Sequence, residues 1–347
     1  MKILILKPSS LGDVIQALPV LRLLKLHFRN AEIFWWIDSA LAPLLEDDPD
    51  LTGIVRFERK RWKSLRYWPE MARSIRWMRE QKFDLVIDLQ SLARSGAFAW
   101  LANGKFLVGL DDAREGAHGY YDIAVPRKSF HTHAVDWYLS VLPQIGVPIH
   151  NNFQWIPERQ ETATKVESIF KSKLNPQSAI CNSQLIVLQP GARWNNKRWP
   201  VENFSALVKL LAQKFPDARF AILGSADDKS LGEKISAAEP NRILNLCGET
   251  SLPEMIEWIR LCDLMITNDT GPMHVAAALG KPLVALFGPT EPRRTGPYGQ
   301  LQNVLQIQLP CEPCMKSNCT WKNPIECLTT ISPQTVFERA QKLISKT

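Results

Sequence analysis

The sequence predicts an α/β protein made of two doubly wound parallel-sheet halves facing across a cleft. Three observations carry that expectation. Short apolar runs (KILIL, EIFWWI and LVID early; LIVL, RFAIL, LMIT and LVALF later) alternate with helically spaced segments, the pattern of a parallel sheet covered by helices on both faces. At 347 residues the chain exceeds one ordinary core, and two domains of roughly 150–170 residues are expected. Finally, the run 264–292 holds a whole strand–loop–helix–strand unit, with Pro272 in the first turn of its helix and Gly280 just past its end.

In the first half, Lys2–Leu6 is a strand that opens through Lys7-Pro8-Ser9-Ser10-Leu11-Gly12-Asp13 into a helix over 14–28. This is a nucleotide-fold βα turn without the G-x-G-x-x-G fingerprint. Further strands are expected at 32–37 and 85–88, and a weaker one at 106–109. The second half offers strands at 185–188, 219–223, 243–246, 264–267 and 283–287, with helices over 201–215, 229–238, 253–261 and 272–279. The domain boundaries follow: 1–160, a link over 161–183 (a helical stretch, then a polar one), 184–330, and an amphipathic C-terminal helix within 331–347.

The composition is globular, with 45% hydrophobic and 22% charged residues. No run of roughly 18 apolar residues suggests a membrane span, and no secretory signal is expected, so a cytoplasmic protein is the default. The formal charge of +7 is matched by the segment from Arg56 to Arg79 alone, whose net is also +7. Phe57, Trp62, Tyr67, Trp68 and Trp77 interleave with its cations. That mixture suits an anionic membrane surface; single-stranded nucleic acid and a plain solvated helix face are the alternatives.

Candidate chemistry gathers at the carboxyl ends of the strands, where open α/β sheets bind ligands. Asp13 is either a helix-capping carboxylate or a general base that takes a proton from an incoming hydroxyl, and Gly12 permits close approach of a ligand. After the first strand of the second half, Ala192, Arg193, Lys197 and Arg198 lie on a glycine-containing loop suited to a diphosphate; a basic surface loop is the duller reading. Asp227 or Asp228 either meets a ribose or caps the next helix. Glu249 or Thr250 lies where a base could be touched. Asn268-Asp269-Thr270-Gly271 runs into a helix whose free amides suit a phosphate, with His274 one turn on. His131 and His133, near Asp136, either orient an acceptor sugar or form a polar helix start, and the helix start is the expectation.

Seven cysteines form an odd set. Cys181, Cys247 and Cys262 read as buried free thiols. Cys311, Cys314, Cys319 and Cys327 leave two uses open: a structural zinc or iron–sulfur site, or free thiols bracing an irregular loop. Their spacing departs from paired C-x2-C units, and free thiols are the expectation.

Ser9-Ser10-x-Gly12-Asp13, Lys197-Arg198-Trp199-Pro200 and Asp269-Thr270-Gly271-x-x-His274, in that order, resemble the ADP-heptose:lipopolysaccharide heptosyltransferases of glycosyltransferase family 9, over nearly the whole chain. The segment 311–327 is similar to one found in heptosyltransferase II-like members. The resemblance implies a GT-B fold, with the acceptor on the N-terminal domain and the nucleotide-sugar on the C-terminal one. It implies Asp13 as catalytic base and Lys197 on the donor diphosphate. Ala192, Arg193, Asp228, Thr250, Asp269, Thr270, Gly271 and His274 would complete the donor site, and Ser9, Ser10, Gly12, Arg94 and Arg114 would face a phosphorylated glycolipid. It further implies inverting transfer of heptose from an ADP-sugar to the lipopolysaccharide inner core (a lipid A–Kdo or heptosyl acceptor), with no cofactor or metal required, no nucleic-acid partner, and a monomer docked on the inner face of the inner membrane. Asn195-Asn196 stands where some members carry an aspartate-rich stretch. A transferase for another surface glycan, a nucleotide-sugar epimerase and a non-catalytic nucleotide-sugar binder are the rival readings.

Overall fold

The computed structural model describes residues 1–112, 115–174 and 184–345. Arg114, and the polar stretch 175–183 with Cys181, lie outside the described residues. Two compact units divide the chain, Met1–Pro157 and Glu158–Thr347.

The first unit is a six-stranded, all-parallel sheet of β1 (Lys2–Leu6), β2 (Glu32–Asp38), β3 (Gly53–Phe57), β4 (Leu85–Asp88), β5 (Leu107–Asp111) and β6 (Ile123–Pro126), in the order β3-β2-β1-β4-β5-β6. Its helices are α1 (Leu11–His27), α2 (Trp68–Glu80), α3 (Ala93–Leu101) and α4 (Ala134–Leu139). β1 is central because its side chains are buried on both faces, with Ile3 against Ile33 of β2 and Leu85 of β4. The chain order reverses between β1 and β4, so the loops after these strands border the crevice where such sheets bind ligands.

β3 and β6 add strands that the hydrophobic pattern alone does not mark. Both are edges, and both carry outward-facing residues that break the apolar run: Arg56 in β3, Pro126 in β6. The aromatic residues between Arg56 and Arg79 divide into two sets. Phe57 and Trp62 are buried, packing with Trp36 and Phe98 at ring separations of 4.4 to 6.0 Å. They belong to the core and not to a docking surface. Trp68 and Trp77, 51% and 38% exposed, remain on the outside of the unit.

The second unit repeats the architecture with β7 (Leu185–Gln189), β8 (Arg219–Ile222), β9 (Ile243–Asn245), β10 (Leu264–Asn268), β11 (Leu283–Phe287) and β12 (Val304–Gln306), ordered β12-β11-β10-β7-β8-β9 and all parallel. Its helices are α5 (Gln160–Lys173), α6 (Val201–Lys214), α7 (Lys229–Ser236), α8 (Leu252–Leu261), α9 (Gly271–Ala278), two single turns α10 (Pro292–Thr295) and α11 (Glu326–Thr329), and α12 (Pro333–Ile344). Here the reversal falls between β7 and β10. α5 occupies most of the described part of the expected link and packs within this unit, with Phe170 edge-on to Trp258 of α8 and Lys165 paired to Glu254 at 2.6 Å. α12 buries Val336, Ala340 and Ile344 in the same core as Trp199 and Phe204. The Trp199 indole donates to the Ile331 carbonyl at 2.9 Å, so the segment leading into α12 is pinned beneath the loop after β7. Among the described residues, no helix is long and apolar enough to cross a membrane.

Candidate active site

In the first unit, Asp13 sits in the first turn of α1. The backbone N–H and hydroxyl of Ser10, the N-cap, donate to its Oδ2 at 2.8 and 2.6 Å. Oδ1 accepts from the Tyr138 hydroxyl of α4 at 3.1 Å. One carboxylate therefore takes both the local cap contact and a contact from α4. Lys7, the residue after β1, is buried; its Nζ donates to the Leu89 carbonyl at 3.0 Å and lies 4.5 Å from the centre of the Tyr138 ring. Burial pulls the Lys7 ammonium below its usual pKa, and the negative charges of Asp13, Asp88 and Asp112 oppose that. Lys7 and Asp13 thus lie close enough for their opposite charges to act on one another.

Asp88, at the end of β4, is fully buried. Burial pushes its carboxyl up, while hydrogen bonds from Ser95, Gln90, Tyr121 and Ser91 hold it down in part. The Tyr121 hydroxyl meets it at 2.8 Å. Ser9 and the exposed Arg94 line one small pocket with Arg59, Gln90 and Ser95, floored by Trp36 and Phe57. Gly12 is buried inside α1. His133 caps α4, its Nδ1 accepting from the Val135 N–H at 3.1 Å.

In the second unit the loops after β7 and β10 are laced together. Asn268, wholly buried at the end of β10, donates from Nδ2 to the Pro190 carbonyl at 2.7 Å and accepts the Trp199 N–H on Oδ1 at 3.1 Å. That lacing sets Lys197 beside Asp269: Nζ and Oδ2 are 2.5 Å apart, and the ammonium lies 4.7 Å from the centre of the Trp194 ring. Thr290, just after β11, donates its hydroxyl to the same Asp269 oxygen at 2.5 Å. Thr270 is the N-cap of α9, which begins at Gly271, and His274 lies buried in its first turn. A cation, a carboxylate and the N-terminus of a helix thus converge at the sheet's switch point.

Asp228 forms a second cluster. Its Oδ2 accepts from Ser225 N–H and Oγ at 3.0 and 2.7 Å, and its Oδ1 lies 3.4 Å from Arg198. Gly191 is required there, because a Cβ at that position would overlap the Asp228 carboxylate. Ala192 is buried, Arg193 is exposed, and Thr250 is half-buried in the loop after the edge strand β9, just before the Ser251 cap of α8.

Cys311, Cys314, Cys319 and Cys327 line one small pocket with Glu312 and Trp321, all as free thiols. Burial pushes the Cys327 thiol up to about 12 and the Glu312 carboxyl up to about 7. Among the described residues, no group of three or more His, Cys, Asp or Glu is arranged to hold a metal ion, so the four-thiolate alternative finds no support. Lys7, Tyr138 and Thr290 are the functional candidates that motif reading passes over. Lys7 left a signal, a lysine closing an otherwise apolar strand. Tyr138 and Thr290 left none.

The chain is similar over its whole length to proteins of known family. Residues 71–325 match the model of glycosyltransferase family 9 (heptosyltransferase). Lipopolysaccharide heptosyltransferase 1 of Pseudomonas aeruginosa is 28% identical, with 99% of this chain and 98% of that protein covered. Lipopolysaccharide heptosyltransferase 2 of Salmonella typhimurium is 29% identical, with 100% and 99% covered. Among solved structures, the ADP-heptose lipopolysaccharide heptosyltransferase II of Escherichia coli superposes with a TM-score of 0.78 at 25% identity, covering 100% of this chain and 99% of that one. Two Rossmann-like sheets, a switch-point cation in the second and a family match across more than half the residues agree: this chain is a glycosyltransferase and belongs to glycosyltransferase family 9.

Proposed function

We propose that the protein transfers a heptose from ADP-heptose to the lipopolysaccharide inner core, with inversion at the anomeric carbon and without a metal or other cofactor. The observation that carries this reading is Lys197 held 2.5 Å from Asp269 at the start of α9. The first unit takes the phosphorylated glycolipid, with Ser9, Ser10, Gly12 and Arg94 around it and Arg114 added. The second takes the nucleotide-sugar, with Asp228 toward the ribose and Thr250 toward the base. Ala192, Arg193, Thr270, Gly271 and His274 border the diphosphate.

Asp13 removes the proton from an acceptor hydroxyl, and that oxygen attacks the anomeric carbon from the face opposite the diphosphate. The bond to the departing ADP breaks with its electron pair, and the new charge falls to Lys197 and the amides of α9. In the free protein Asp269 neutralises Lys197; the diphosphate competes for the same ammonium, and Thr290 remains to hold the carboxylate. A cation and a helix start supply what a divalent ion supplies elsewhere.

The donor is tested by thermal shift with ADP, UDP and GDP. ADP at a hundredfold excess over its Kd should stabilise the protein by about 2.7 kcal/mol. A shift with UDP or GDP in its place rejects the ADP-sugar assignment.

The protein works as a monomer, cytoplasmic and docked on the anionic inner face of the membrane through the segment from Arg56 to Arg79. Exposed Lys63, Arg66, Arg73, Arg76 and Arg79 surround Leu65, Trp68 and Trp77, cations beside rings that suit the headgroup level. Arg56 and Arg61 are partly spent on Glu46 and Glu70. Replacing Lys63, Arg73, Arg76 and Arg79 with Glu should release the protein from phosphatidylglycerol vesicles in flotation. Undiminished binding rejects this surface.

A further inference from the structure

The Asp13 carboxylate is held at both ends, and only one end is explained by its helix. Ser10 secures Oδ2 within the same turn of α1. Oδ1 is secured from 125 residues away, by the hydroxyl of Tyr138. Tyr138 is itself held. Its ring is buried on α4 and carries the Lys7 ammonium against its face, and Lys7 is tied to the Leu89 carbonyl beyond β4. A rigid chain thus runs from the end of β4 through a buried cation and an aromatic ring to one oxygen of Asp13. A helix cap needs no such support, since Ser10 alone closes it. A base whose oxygen must meet a substrate hydroxyl within a few tenths of an ångström does.

We propose that Tyr138 is a positioning residue for Asp13, fixing the rotation of its carboxylate and keeping it ionised by hydrogen bonding, with Lys7 bracing the tyrosine ring. The inference rests on the reading of Asp13 as the base. Asp13 in α1, Asp88 from the end of β4, Asp112 after β5 and Arg127 after β6 are the charged groups whose fields act on Lys7 or Tyr138. Burial beside Asp13 raises the Tyr138 pKa well above its ordinary value, so the hydroxyl stays protonated and donates throughout the working range.

Tyr138→Phe removes the hydroxyl and leaves the ring on which Lys7 rests. Expected is a fall in kcat of roughly tenfold to a hundredfold, with the donor KM and the thermal shift by ADP unchanged. The sign of the pH effect follows from the donor's role. A hydrogen bond to the carboxylate favours its charged form, so losing it raises the Asp13 pKa and moves the acidic limb of the kcat profile to higher pH. Fluorotyrosine placed at 138 keeps the ring and strengthens the donor; it should move the limb to lower pH, and it decides the matter if the phenylalanine variant does not fold. An unmoved acidic limb overturns the proposal, whether or not kcat falls, and so does a loss confined to donor KM. If Asp13→Asn itself retains turnover, the base reading fails first; if it abolishes turnover while both Tyr138 variants behave as wild type, only the positioning role fails.

Discussion

Asp13→Asn is expected to lower turnover by about 10²- to 10⁴-fold, the range that a lost general base costs, while the thermal shift given by ADP stays unchanged. The substitution is close to isosteric. The Asn Oδ1 still accepts from Ser10, and its amide can turn toward the Tyr138 hydroxyl, which is able to accept as well as donate. Weakening the α1 cap costs about 1 kcal/mol, too little to unfold a domain of this size and too little to account for the kinetic loss. The two readings of Asp13 therefore separate cleanly. A cap alone predicts a small drop in unfolding free energy and normal turnover; a base predicts the reverse weighting. Steady-state kinetics beside a denaturant titration distinguish them, and full turnover in the Asn variant would remove Asp13 from the chemistry.

Much of the frame is legible in the sequence because burial on both faces writes itself as an uninterrupted apolar run. β1, β7, β10 and β11 read that way, and the loops that follow β1, β7 and β10 carry the candidate chemistry. The edges do not read so clearly. β3 alternates buried and exposed residues, and β12 is three half-buried residues, too short to show a period. Composition likewise cannot say which way an aromatic ring faces. Phe57 and Trp62 lie among the same cations as Trp68 and Trp77, yet the strand at 53–57 and the turn at 61–63 point the first pair inward. At the site, Lys197 and Asp269 stand out singly at strand ends, whereas their 2.5 Å pairing across 72 residues is a product of sheet order. Thr290 and Tyr138 reach their carboxylates from 21 and 125 residues away, and neither occupies a distinctive motif.

Lys197→Met carries the second large expectation, and its interpretation depends on the partner it leaves behind. Loss of a charge aimed at the leaving diphosphate should cut kcat by about 10²- to 10³-fold. The same change strands Asp269, which is 6% exposed and would retain the Thr290 hydroxyl as a side-chain donor. Removing one member of a buried pair costs about 3–5 kcal/mol where burial is complete; Lys197 keeps 16% of its side-chain surface, so the lower end applies. Reduced activity in the single variant could then reflect a damaged fold. The double variant Lys197→Met with Asp269→Asn resolves this, because a neutral Asn at 269 no longer needs a cation and can still accept from Thr290. Its denaturant midpoint should return toward wild type while its turnover stays low. Recovery of turnover together with stability would make Lys197 a structural ion-pair partner and would move the burden of stabilising the departing diphosphate to Arg193, Arg198 and the amides of α9. Persistence of the kinetic defect in a restored fold is the outcome that the 2.5 Å geometry at the head of α9 leads us to expect.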